Sequence, residues 1–109
     1  MDLAVRRRFA FMTLMPARQV LVDQNCPEGA LAAFDWLTDV FVEFAPDEAL
    51  TLMPGHSYFL AKTDEELRTR FRYELLPLLE EYLRQGFLAQ ATSELISVRD
   101  RIDDMSRDS

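Results

Sequence analysis

Three consecutive arginines, Arg6, Arg7 and Arg8, are the sharpest chemical feature of this sequence. A guanidinium keeps its charge and offers planar, paired donors, so such a run suits carboxylate or phosphate recognition. Three uses are open to it. The cations can close the C-terminal end of a short helix, where the helix dipole favours positive charge. They can contact nucleic acid, although no aromatics interleave with them and the chain carries a net charge of -7. They can also reach a phosphate across a subunit interface.

The other reactive side chains read more plainly. His56 adjoins Ser57, but no G-x-S-x-G elbow surrounds them, so His56 reads as a hydrogen-bonded structural residue. A single His and a single Cys, Cys26, exclude a zinc site built from several such ligands and an internal disulfide framework. The adjacent acids Glu65-Glu66, Glu80-Glu81 and Asp103-Asp104 diverge by about 100° on a helix and read as solvated faces. Arg68 and Arg72, four residues apart, share a helix face, and Arg70 points elsewhere. No metal site is expected.

These residues need elements to position them. Asp2 caps a short helix over Leu3–Arg8. In Phe9–Met15 the residues Phe9, Phe11 and Met15 alternate with Ala10, Met12 and Leu14, which predicts a strand apolar on both faces, ended by Pro16. Residues 17–24 form a short helical or linking segment. From Glu28 to Phe44 the residues Leu31, Phe34, Leu37, Val40, Phe41 and Phe44 recur at three- and four-residue steps, which predicts an amphipathic helix stopped by Pro46. One further helical turn is expected over residues 46–50, then a turn at Pro54-Gly55. Thr63 and Glu66 form a capping box for a helix reaching Gln85, with a kink at Pro77 and Gly86 past its end. Leu88, Ala91, Leu95, Ile102 and Met105 mark a last helix.

The 109 residues make one domain's worth of chain, and 49% hydrophobic content excludes intrinsic disorder. Residues 1–18 carry a charge of +3 and the remainder −10. An acidic body argues against broad nucleic-acid or anionic-membrane binding. No stretch approaches the roughly 20 apolar residues of a membrane span, so a cytoplasmic, soluble protein is expected.

Three blocks of the sequence resemble a known family. MDLAVRRRFAFMTLMP, residues 1–16, resembles the arginine-finger segment of McrB-like AAA+ NTPases, where a helix end leads into the last strand of the core. PGHSYFL, residues 54–60, and RYELLPLLEEYL, residues 72–83, are similar to two stretches of the same family's C-terminal lid. The blocks occur in family order and span roughly residues 1–86.

The resemblance implies a mainly α fold: a helical lid bundle over residues 27–109, preceded over 1–26 by a remnant of the α/β core with one orphan β-strand. It implies a C-terminal fragment of an AAA+ ATPase or GTPase. One of Arg6, Arg7 and Arg8 would act in trans as the arginine finger. His56, Arg68 and Arg72 would be lid residues facing nucleotide, with Arg70 a further candidate. ATP or GTP with Mg²⁺ is expected only in the complete protein. Gly29, Gly55 and Gly86 are too scattered for a P-loop, and no Walker B strand follows, so the chain alone is expected to bind none and to be inactive. The implied partners are the rest of the core or neighbouring subunits in a homo-oligomeric ring, with no direct nucleic acid and no membrane. Two other readings stand beside this one: a stand-alone helical interaction module, and a regulator of an intact ring.

Overall fold

The computed structural model describes residues 2–107. Its first element corrects the expected strand. Leu3–Asp23 form one helix of 21 residues, α1, which runs straight through Phe9–Met15 and through Pro16. Among the described residues there is no β-strand. A lone strand would leave its N–H and C=O groups without ladder partners, whereas a helix pairs them within the segment. The sequence also carries a helical stripe beneath the alternation. Ala10, Leu14 and Leu21 are buried and Ala17 packs at the edge of the core, a spacing of four, three and four. Asp2 does cap α1, its Oδ1 accepting from the Val5 N–H at 2.9 Å. Asn25, with φ 56°, closes the other end, where the Cys26 N–H donates to the Leu21 carbonyl.

The remaining helices follow the apolar periodicity closely. Helix α2 covers Glu28–Asp39 and continues through a π-helical turn, Val40–Phe44, as far as predicted. Two short 3₁₀ turns, Asp47–Leu52 and His56–Tyr58, cross to α3, Asp64–Arg70. The Thr63 hydroxyl accepts from the Glu66 N–H at 3.1 Å, as the capping box requires. A second π turn, Phe71–Leu75, joins α3 to α4, Leu76–Gln85. The expected break is therefore a widened turn just ahead of Pro77. Pro77 itself sits in the first turn of α4, where a missing N–H costs little. Gly86, at φ 68°, ends α4 in the left-handed conformation. After a 3₁₀ turn at Ala89–Ala91, α5 spans Thr92–Ser106.

One hydrophobic cluster draws on every helix. Its centre is a row of edge-to-face aromatics: Phe34 to Phe59 at 5.2 Å between ring centroids, and Phe59 to Phe71 at 6.1 Å. Leu79 of α4 and Leu95 and Ile102 of α5 are fully buried around them. The molecule measures 39 × 31 × 16 Å. The short dimension is less than two helix diameters. Helix α1 keeps one side open, with Val5, Phe9, Phe11 and Met12 exposed.

Candidate functional site

The three N-terminal arginines end up in unequal surroundings. All lie in the first two turns of α1, against the second half of the α2 region. Arg6 is the most enclosed. Its Nη1 donates to the Val42 carbonyl at 2.8 Å and its Nε to Asp47 Oδ1 at 3.0 Å, with Nη2 reaching the same carboxylate. The Arg6 hydrogen bond holds the Asp47 carboxyl below the usual carboxylate range. Arg7 donates to Glu43 through Nη2. Arg8 is exposed, and among the described residues nothing forms a hydrogen bond or ion pair with it. Two of the run are thus intramolecular clamps and one is unengaged.

Arg7 and Glu43 belong to a ladder that sequence reasoning missed. Asp35, Asp39 and Glu43 recur at four-residue spacing along α2 and its π turn. Asp35 takes a two-pronged contact from Arg18, Nε at 2.9 Å and Nη2 at 3.0 Å, which raises the Arg18 pKa further. Glu43 takes Arg7. Asp39, the middle rung, lies beside Phe11 and Met15 and forms no ion pair among the described residues. Burial, then the Glu43 and Asp35 charges, push its carboxyl up, and Arg7 only partly offsets this. The signal was present as a repeat of carboxylates, but its meaning depends on which side α1 approaches.

The lid candidates lie elsewhere. Arg68 and Arg72 do share a face, as their spacing predicts. With Glu65, Thr69, Tyr73 and Ser106 they line an open groove of about 450 Å³. Arg72 donates to the Ser106 hydroxyl at 3.1 Å and stands 3.6 Å from Asp103 of α5. Arg68 has no polar partner among the described residues. His56 is exposed in its 3₁₀ turn and does not line that groove. Arg70, on the other side of α3, donates to the Ser57 carbonyl at 3.0 Å and to Glu74, so it ties the His56 turn to α3. Its Nε is buried without a partner. The Tyr82 hydroxyl donates to the Leu52 carbonyl at 2.8 Å and burial raises its pKa. It fixes α4 to the 3₁₀ turn ahead of the lid loop. Among the described residues no group of His, Cys, Asp and Glu could hold a metal ion.

From Thr51 to the end of α4 the chain runs turn, loop, capped helix, π turn, helix, glycine stop. Residues 51–85 match the family model described as McrB, alpha-helical lid domain. This segment is similar to the alpha-helical lid of McrB. The match spans about a third of the chain. It covers the Gly55–Phe59 turn, Arg68, Arg70 and Arg72, and it leaves α1 and α5 outside. No curated protein and no solved structure matches the chain. No helix among the described residues is long and apolar enough to cross a membrane.

Proposed function

We propose that this chain is the lid-bearing C-terminal part of a McrB-like AAA+ NTPase, and that Arg8 is the residue it extends toward a nucleotide held by a neighbouring subunit. The lid match over residues 51–85 carries the reading. The choice of Arg8 rests on its neighbours: Arg6 and Arg7 are spent on Asp47, Val42 and Glu43, and only Arg8 projects unengaged. A guanidinium held ready in this way suits stabilisation of charge on a transferring phosphoryl group. The exposed apolar side of α1, with Val5, Phe9 and Met12 on one stripe, is where the rest of the core would pack. On this reading ATP or GTP with Mg²⁺ is held by P-loop residues outside this chain. Arg68, Arg72 and His56 remain candidates for lid residues that sense it.

The test uses a P-loop-bearing McrB-like core whose own finger has been removed. Adding this chain should raise NTP hydrolysis, and Arg8→Ala should abolish the gain. Arg8→Ala hydrolysis equal to the unsubstituted chain's would sink the assignment.

A second reading has its own observation. The front end is a continuous capped helix whose Leu21 is fully buried, with Arg6 and Arg7 anchored internally. That favours a helical module able to fold and act by itself, as an interaction partner or a regulator of an intact ring. Dose-dependent inhibition of such a ring, with no stimulation of the finger-less core, would select this reading.

A further inference from the structure

The face of the bundle away from Arg68 and Arg72 carries a groove of about 430 Å³ between α2 with its π turn and α5. Its apolar walls are Trp36, Val40, Phe44 and Val98. Phe44 is 45% exposed although it closes a helix in the middle of the chain. The π turn begins at Val40, at the groove itself. Such widened turns are frequent at functional sites. None of these residues falls in the segment matched to the lid.

The charges at the rim are unbalanced. Asp39 on α2 and Glu94 on α5 line the groove from its two sides. Neither is ion-paired among the described residues, and Glu94 accepts only from the Ser93 hydroxyl. The carboxylates next to Asp39 on its own helix are both satisfied, Asp35 by Arg18 and Glu43 by Arg7. The one cation in the groove, Arg101, lies over the Trp36 ring, 3.9 Å from its centroid. It shields an aromatic face and pairs with no acid among the described residues. The groove therefore holds two acids and one cation around an apolar floor, and lacks one positive charge. Burial, and then the Glu43 and Asp35 charges on its own helix, raise the Asp39 carboxyl.

We infer that this groove docks a segment of a partner protein that presents a basic side chain beside an apolar one. The apolar side chain seats between Phe44 and Val98, and the basic one bridges Asp39 and Glu94. Arginine suits the site better than lysine, because its planar fork can pair with two carboxylates at once. The inference is independent of whether the chain serves an NTPase.

Trp36 is the only tryptophan in the chain, so its emission reports on this groove alone. The probe is a short tryptophan-free peptide of alternating leucine and arginine, titrated against the full chain at about physiological salt. A saturable change in Trp36 emission is expected. Asp39→Asn and Glu94→Gln should each weaken binding about threefold, as exposed charge pairs do. Phe44→Ser should weaken it further. Arg101→Gln should strengthen binding, because it removes the competing cation, and a purely structural role for Arg101 would not produce that. The acidic body could attract any basic peptide, so Asp64→Asn with Glu65→Gln removes twice the charge of either groove variant from the start of α3 and should leave the affinity unchanged. The inference is overturned if a leucine–glutamate peptide gives the same response, if the α3 control weakens binding as much as the groove variants, or if Trp36 emission does not move. Sedimentation in the absence of peptide separates the remaining occupant: a concentration-dependent dimer lost on Phe44→Ser would mean that a second copy fills the groove, and would also overturn it.

Discussion

At the scale of single residues, the arginine run separates chemistry from anchorage. Arg6 satisfies a backbone carbonyl and a carboxylate at once, whereas Arg8 satisfies nothing among the described residues. Arg6→Ala should lower stability by about 1 kcal/mol, since it strips a charge-assisted bond from the partly buried Val42 carbonyl. Arg8→Ala should change stability by less than about 0.5 kcal/mol. Paired thermal melts decide this, and equal losses would refute the division of labour. The pH dependence has a definite sign. Asp47 is depressed by Arg6, so its contribution is present above the ordinary aspartate pKa of about 3.9 and is lost as pH falls through the lower folded value. Asp39 acts in the opposite sense. Its folded pKa is raised, so ionisation at neutral pH costs the folded state, and stability from this group recovers as pH falls through the raised value. Asp39→Asn should therefore raise the melting temperature at pH 7, and the gain should vanish below about pH 4 where the carboxyl is protonated in both states. A gain that persists at low pH would point to packing instead of charge.

At the scale of elements, local signals decided what could be read. Thr63 with Glu66 at one end and Gly86 at the other announced the lid helices because caps act through their own neighbours, within a few residues. The α2 stripe was legible for the same reason. Segment 9–15 was not, because its alternating and helical patterns coexist: Phe9, Phe11 and Met15 suggest a strand, and Ala10, Leu14, Ala17 and Leu21 lay down a helix face. What decides is the availability of a neighbouring strand, which is a tertiary fact. The π turns were equally hidden, since widening adds one residue without any compositional mark. Likewise the arginines could be singled out, but not their carboxylate partners some 36 to 41 residues away. Pro16 offers a direct test of α1. It is exposed on a continuous helix and withholds the N–H that the Met12 carbonyl would accept. Pro16→Ala should stabilise the protein by about 1–3 kcal/mol and deepen the helical circular-dichroism signal. A strand ending at that position would gain nothing from the exchange, so a neutral result would restore the strand.

At the scale of the whole molecule, the lid segment is not self-contained. Its two central aromatics, Phe59 and Phe71, close on Phe34 of α2, and α5 covers them with Leu95 and Ile102. A slab 16 Å thick has one layer of core to share, so removing any part of it exposes the rest. Phe59, fully buried on the stretch that the short 3₁₀ turns hold in place, stands between the rings of Phe34 and Phe71. Phe59→Ala leaves an aromatic-sized void between two rings that cannot both move inward, and should cost about 3–5 kcal/mol. A domain of this length has a total stability of only about 5–15 kcal/mol, so the variant should sit close to its unfolding limit. Chemical denaturation should show one transition, shifted to lower denaturant with its slope unchanged, because α1 contributes Leu21 and Leu14 to the same cluster. A second, unshifted transition in that variant would show that α1 and α2 hold together without the lid, and the aromatic row would then be a local contact instead of the keystone of a single cooperative unit.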